Sequence, residues 1–168
     1  MNPYRGCEHG CIYCYARPGH AYLGMSPGLD FETRLVARPS APEQLRRELS
    51  RKGYVPDTLA IGTYTDPYQP IEKAHEIMRG LVQVLAAFNH PLAIVTKGVL
   101  IERDIDILAP MAARGLLRVG ISVTSLDAKI SRAMEPRVPA PKRRLQTIRR
   151  LADAGIPVRA MVSPVVPG

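Results

Sequence analysis

Four short apolar runs set the limits on how this chain folds: Thr58 to Gly62, Leu92 to Thr96, Val119 to Val123 and Val158 to Val162. Each is continuously apolar rather than alternating, the pattern of strands covered on both faces of a parallel sheet. Parallel neighbours cannot be joined by a tight hairpin and need a crossover, usually a helix. The intervening segments have helical period. Glu72 to Phe88 puts Ala74, Met78, Leu81, Leu85 and Phe88 on one face, and Glu102 to Arg114 carries Ile105, Leu108 and Ala112. Lys142 to Ala154 turns Leu145, Ile148, Leu151 and Ala152 inward. Gly115 and Gly155 follow the last two as C-terminal stops. A further helix starts at Ser40, with Ser40 and Glu43 as a capping box, and runs to about Arg51, while Leu29 to Ala37 reads as extended. Strand and helix thus alternate as βα units with right-handed crossovers, about five in all if a short strand feeds the N-terminal loop. The Pro-rich pieces Arg137 to Pro141 and Pro164 to Gly168 read as loops. At 168 residues the chain is a single domain, 1–168, large enough to bury a core.

The chemistry concentrates in the N-terminal loop. Cys7, Cys11 and Cys14 are the only cysteines and form Cys-x3-Cys-x2-Cys in the run CEHGCIYC. An odd number of closely spaced thiols argues for metal ligation rather than a disulfide framework. Closed zinc sites and ferredoxin clusters take four ligands. Three thiolates on a cubane leave one iron without a protein ligand, and an open position distinguishes catalytic metal sites from structural ones. The alternative is a zinc site completed by His9 or His20, although neither stands at a common zinc-ligand spacing.

The spacing resembles that of the radical S-adenosylmethionine (SAM) superfamily. The wider string NPYRGCEHGCIYCYAR (Asn2 to Arg17) resembles the spore photoproduct lyase-like group, also described as DNA repair photolyase-like. The likeness continues through IGTYTDPYQPIE (Ile61 to Glu72), IVTKG (Ile94 to Gly98), VGISVTSLD (Val119 to Asp127), MEPR (Met134 to Arg137) and AGIPVRAMVSPVVPG (Ala154 to Gly168). It implies an α/β fold, a partial parallel (β/α) barrel. The chain ends soon after its last predicted strand, where similar proteins continue, so the expectation is a core incomplete at its C-terminus. A barrel short of its last strand leaves an unpaired parallel edge, which invites association.

The same resemblance implies a [4Fe-4S] cluster on Cys7, Cys11 and Cys14 and SAM at its open iron. SAM is then cleaved reductively to a 5′-deoxyadenosyl radical by an electron from an external donor such as a flavodoxin or ferredoxin. Tyr13 matches the aromatic position beside the SAM adenine. Thr63, Thr65 and Asp66 match the site for the methionyl ammonium, although Thr, Asp and Pro are also ordinary turn residues. Lys97, closing the third strand, matches a partner for the SAM carboxylate. Ser122 and Thr124 match partners for the ribose hydroxyls. Arg137, with Glu135, falls in a loop on the same mouth and binds SAM or substrate or pairs locally. Reactive groups in parallel α/β folds collect at the C-terminal ends of the strands, where all these strings fall. One departure stands out: spore photoproduct lyases carry a further cysteine that quenches the product radical, and this chain has none. Tyr64 and Tyr68 are the candidate replacements.

The net charge of +8 admits a nucleic-acid partner without requiring one. Much of it falls on Arg46, Arg47, Arg51 and Lys52 and on Lys142, Arg143, Arg144, Arg149 and Arg150, which read as solvated helix faces. No aromatics interleave with them, so base stacking is not indicated there. No run approaches the length of a membrane span, and no signal-peptide pattern opens the chain. Thiols kept as metal ligands fit a reducing compartment, the cytoplasm. A non-catalytic iron–sulfur protein for electron transfer or redox sensing is the alternative, followed by a basic nucleic-acid module with a structural metal.

Overall fold

The computed structural model describes residues 1–165; the last three residues of the string PVVPG lie outside the described residues. The chain opens with a two-stranded antiparallel ribbon, β1 (Tyr4–Arg5) against β2 (Val36–Ala37). Between them lie the cysteine loop, a 3-10 turn (Arg17–Leu23) and the single-turn helix α1 (Asp30–Thr33). The first short strand thus feeds the cysteine loop as anticipated, yet it turns back on β2 instead of entering the parallel sheet. The segment expected to be extended, Leu29 to Ala37, is so only at β2.

After α2 (Ala41–Leu49) come β3 (Leu59–Ile61), α3 (Glu72–His75), α4 (Ile77–Ala87), β4 (Leu92–Thr96), a 3-10 turn (Val99–Asp104) and α5 (Ile105–Ala113). The chain continues through β5 (Leu117–Ser122), α6 (Ala128–Met134), α7 (Pro141–Asp153) and β6 (Val158–Met161). Strands β3 to β6 form one parallel sheet in sequence order, with β3 and β6 at its edges, so the barrel is not closed among the described residues. No helix among them is long and apolar enough to cross a membrane.

The strands are less evenly buried than their continuous apolarity predicted. In β4, Leu92, Ile94 and Thr96 are buried against the helices, whereas Ala93 and Val95 on the other face are only half-buried. That face is the inside of an open barrel. Small residues there, such as Ala60, Ala93 and Gly120, hide a period-2 pattern from the sequence.

Helix boundaries moved where a polar group was available. Glu72 to Phe88 is two helices, broken at Glu76, whose φ is 50°. The fully buried Glu72 carboxylate supplies the reason: it accepts from Met78 N (2.9 Å) and Arg79 N (3.3 Å), capping α4. Tyr4 Oη (2.5 Å) and Arg103 Nη2 (2.7 Å) donate to it as well. The capping box at Ser40 does not form; its hydroxyl accepts from Gln44 Nε2 instead. Helix α6 was not anticipated, although Asp127 caps it by accepting from Lys129 N and Ile130 N.

Helix α7 turns a different face inward from the one its leucines suggested. Leu151 is buried as expected, but Leu145 is exposed, and Arg144 and Thr147 are fully buried. Glu102 draws this face in by accepting from Arg143 Nη1 and Nη2, Thr147 Oγ1 and Arg150 Nη1. Burial opposes ionisation of Glu102, but these hydrogen bonds hold its carboxyl down at about 2, below the usual carboxylate range. A depressed carboxylate stabilises the fold above its unfolded pKa and loses that contribution as pH falls through the folded one. Glu102→Gln should therefore cost about 1–3 kcal/mol at neutral pH. Its chemical-denaturation stability should also fall less steeply than the parent's between pH 4.5 and 2.

Candidate functional site

The cysteine loop is positioned mainly by hydrogen bonds from the segments around it. Cys7 N donates to Phe31 O (2.9 Å) and Glu8 N to Gln69 Oε1 (2.9 Å), while Glu8 Oε2 accepts from Ile71 N (2.6 Å). Ile12 N donates to Met134 O (3.0 Å), and His9 O accepts from Arg137 N (3.2 Å). The loop's own apolar support is small: Cys7, Ala16 and Phe31, with Cys14 against them.

The three thiols are free and line one cavity of about 500 Å³ at the C-terminal ends of the parallel strands. Its size suits a small-molecule ligand. Cys7 and Cys11 are buried and Cys14 half-buried. Burial pushes the Cys11 thiol up to about 12 and raises Cys14 as well. Neutral, desolvated thiols of this kind ionise when a soft metal takes the proton's place.

Among the described residues, no three His, Cys, Asp or Glu side chains gather around a single metal-ion position. A cubane takes each thiolate on a different iron, so it asks only that the sulfurs face one cavity. Of the two candidate histidines, only His9 lines the cavity with the cysteines among the described residues. His20 Nε2 is bonded to Arg34 O (3.0 Å), and His9 Nδ1 lies 3.4 Å from Asp66 Oδ2.

Most of the predicted residues converge here: Tyr13, Thr63, Thr65, Asp66, Lys97 and Ser122 share the cavity with the cysteines. Their side chains differ in what they have left to offer. Asp66 accepts from Tyr68 N (2.9 Å), Thr96 Oγ1 (2.6 Å) and Lys97 N (2.7 Å) and pairs with His9. A carboxylate has about four acceptor positions, so Asp66 is saturated. Burial works against both charges of this pair, yet each partner sustains the other: Asp66 falls to about 2 and His9 rises to about 10. Thr65 Oγ1 donates to Tyr4 O (2.7 Å). Of the three expected ammonium partners, Thr63 alone has a side-chain oxygen without a protein bond among the described residues. Lys97 pairs with no carboxylate among them, and its Nζ stands 5.7 Å from the centre of the Tyr13 ring.

Two expected residues do not line the cavity. Thr124 has a buried hydroxyl with no protein partner among the described residues. Arg137 grips the cysteine loop from outside, donating to Glu8 O and Glu32 and packing over Gly10. The tyrosines also separate. Tyr64 lines the cavity, whereas Tyr68 is buried elsewhere with its hydroxyl donating to Asp104 (3.1 Å). Tyr15, next to Cys14, went unassigned in the sequence; it lines the cavity and donates to Thr63 O, and its ring meets Tyr64 edge-on at 6.1 Å.

A second cavity of about 450 Å³ shares Tyr64 as a wall. Arg5, Arg38 and Tyr22 line it, and no carboxylate does among the described residues. In the β1–β2 register Arg5 faces Val36, so Arg38, two residues on, projects from the same face of the ribbon. Neither guanidinium is paired among the described residues. The arginines of α7 are mostly engaged: Arg143 and Arg150 with Glu102, Arg144 in the interior, Arg149 near Asp153. The expected solvated face therefore holds for Lys142, Arg149 and Arg150, which stay exposed, but not for Arg143 and Arg144.

The sequence model of the Radical SAM superfamily matches residues 1–168. An uncharacterized protein of Mycobacterium tuberculosis (strain ATCC 25618 / H37Rv) is 41% identical over 167 residues, which are 99% of this chain and 49% of that protein. One from Methanocaldococcus jannaschii is 24% identical over 167 residues, 99% of this chain and 60% of its own length. The chain thus spans about half the length of the curated relatives it matches. Among solved structures, spore photoproduct lyase complexed with dinucleoside spore photoproduct aligns with a TM-score of 0.71 at 19% identity, covering 98% of this chain and 45% of that one. A mutant of that lyase with bound AdoMet and the same ligand aligns at 0.69 and 19%, covering 100% and 46%. These likenesses show the fold.

The division of labour in the cavity yields a test of its own. Asp66→Asn breaks a buried pair and removes the carboxylate that accepts from Tyr68 N, Thr96 Oγ1 and Lys97 N, and should cost about 3–5 kcal/mol in urea unfolding. Thr63→Ala removes a hydroxyl with no protein partner and should stay within about 0.5 kcal/mol of the parent.

Proposed function

Since the chain belongs to the radical SAM superfamily, whose members use a [4Fe-4S] cluster and SAM, we propose that Cys7, Cys11 and Cys14 hold that cluster and leave one iron for SAM. The observation that carries this reading is three free thiols on one wall of a ligand-sized cavity that also presents Thr63, Lys97 and Ser122. The reduced cluster supplies the electron for reductive cleavage of SAM to a 5′-deoxyadenosyl radical; orientation and exclusion of water fall to the protein.

Thr63 accepts from the methionyl ammonium, Lys97 pairs with its carboxylate, Ser122 meets the ribose and the Tyr13 ring stands beside the adenine. Asp66, saturated by protein donors, fixes the loop that presents Thr63. Thr124 and Arg137 leave the binding set, since neither reaches the cavity. An external donor such as a flavodoxin or ferredoxin delivers the electron, and the unpaired thiols suit the cytoplasm.

The second cavity is the place for substrate. Two unpaired guanidiniums beside Tyr22 and Tyr64, with no carboxylate lining the cavity among the described residues, are the chemistry that takes phosphate esters bearing a ring to stack. Tyr64 separates that ligand from the SAM cavity. Spore photoproduct lyase, of like fold, was solved with a dinucleoside ligand, and this reading gives the chain a substrate of that kind, a nucleic acid, with a lyase-like outcome. With all three cysteines in the cluster loop, Tyr64 is the candidate to return hydrogen in place of a further thiol.

Protein reconstituted with iron and sulfide without oxygen should be brown, and its reduced EPR spectrum should change when SAM is added. The Cys7→Ala/Cys11→Ala/Cys14→Ala variant should stay colourless. A spectrum indifferent to SAM would identify an electron-transfer protein instead, and absence of iron would end the proposal. For the substrate, Arg5→Ala/Arg38→Ala should weaken binding of a labelled single-stranded oligonucleotide at least tenfold. Its log–log salt slope should become shallower by about 1.4, roughly 0.7 for each lost phosphate contact. Equal binding by this variant, with a loss instead in Lys142→Ala/Arg149→Ala, would move the partner to α7.

A further inference from the structure

The buried pair Glu135–Arg144 lies outside the cavity yet reaches it from two sides. Arg144 is the largest fully buried side chain in the protein's described part. Its Nη1 donates to Ser122 O (2.7 Å), at the end of β5, and its Nη2 to Ser131 Oγ (2.8 Å) on α6. Nη2 also stands 2.8 Å from Glu135 Oε2, with both side chains wholly shielded from water. The other carboxylate oxygen of Glu135 accepts from the Tyr13 hydroxyl. The preceding residue, Met134, accepts from Ile12 N through its carbonyl. The end of α6 therefore holds Ile12 by main chain and Tyr13 by side chain, in the interval between Cys11 and Cys14.

Stability alone is a poor account of this pair. Removing two charges from water costs several kcal/mol per ion, and well-packed apolar substitutes are often at least as stable. The pairing is also imperfect: Arg144 Nε has no hydrogen-bond partner among the described residues, and Glu135 Oε2 makes no aligned hydrogen bond despite its proximity to Nη2. What an apolar pair cannot supply is a fixed acceptor for a tyrosine hydroxyl. Tyr13 takes that acceptor from Glu135, since Lys97 Nζ stands 5.7 Å from the centre of its ring and does not reach the hydroxyl, and the hydroxyl end sets the ring's tilt.

We propose that Glu135 is a positioning residue whose side-chain oxygen fixes the Tyr13 ring as one wall of the SAM cavity and so sets the affinity for SAM. The inference rests on the assignment of the cavity to SAM made above.

Three variants of the reconstituted protein separate positioning from packing, read by calorimetric SAM binding, iron content and thermal unfolding. Glu135→Leu/Arg144→Met replaces the ion pair by an apolar one and removes the tether. It should keep its iron and its Tm while Kd for SAM rises five- to twentyfold, with turnover at saturating SAM within twofold of the parent. Glu135→Gln/Arg144→Met keeps an oxygen for the Tyr13 hydroxyl and should restore Kd to within twofold. Tyr13→Phe, which deletes only the hydroxyl, should raise Kd three- to tenfold and keeps the test alive if the apolar pair fails to fold. Unchanged affinity in Tyr13→Phe, or equal impairment of the Gln/Met and Leu/Met variants, overturns the inference and leaves the cavity assignment standing. A parent protein that does not bind SAM overturns both.

Discussion

Asp66 keeps a negative charge where water barely reaches, and the cavity is arranged around that charge. Its acceptors are filled by its own turn through Tyr68 N, by the end of β4 through Thr96 and Lys97, and by the cysteine loop through His9. Those donors meet because β3 and β4 run parallel in one register, with Ile61 opposite Ile94, so that the turn after β3 lies beside the last residues of β4. Low local dielectric strengthens each of these bonds and makes a missing one costly. A loop with almost no apolar support thereby acquires a fixed place. The turn before it admits no alternative: at Gly62 the φ is 90°, and a Cβ there would stand 1.9 Å from Val95 O.

The distribution of charge follows the same logic of shielding. Where carboxylates and guanidiniums lie inside, as in Glu72–Arg103, Glu102–Arg143 and Glu135–Arg144, they join elements that the sheet alone would leave loosely oriented. The cations left unmatched are therefore informative. Lys97 faces the first cavity, Arg5 and Arg38 the second. An excess of basic residues reads in the sequence as helix faces; folding draws Arg143 and Arg144 of α7 into ion pairs and leaves Lys97, Arg5 and Arg38, from three separate segments, unpaired beside the reactive loop among the described residues. The aromatics missing from the basic helices are supplied here by Tyr22 and Tyr64.

Much of the site was legible because its chemistry is local. Three thiols within eight residues, and hydroxyl or cationic side chains just past apolar runs, identify a ligand site by type and spacing. What the residue types did not reveal was whether a side chain would still be available after folding. Thr63 and Asp66 looked alike as acceptors, yet one is free and the other saturated. Arg137 looked like a ligand and is a clamp. Arg144 looked like a solvated helix arginine and sits in the core, because Glu135 and the Ser122 carbonyl, distant in sequence, give it partners that no helical periodicity encodes.

By itself the sequence determined the alternation of strand and helix, the parallel sheet that follows from it and the cysteine loop at its mouth. These depend on apolar period, glycine stops and residue spacing, all short-range properties. Only the tertiary structure decided that β1 would pair with β2 rather than join the sheet, that Glu72 would split one helix into two, and which face α7 would bury. The pairing of β1 and the face of α7 were settled by bonds between residues far apart in the chain, and the split at Glu72 by a local cap whose carboxylate Tyr4 and Arg103 hold in the interior; a buried polar group takes its partner wherever the fold brings one.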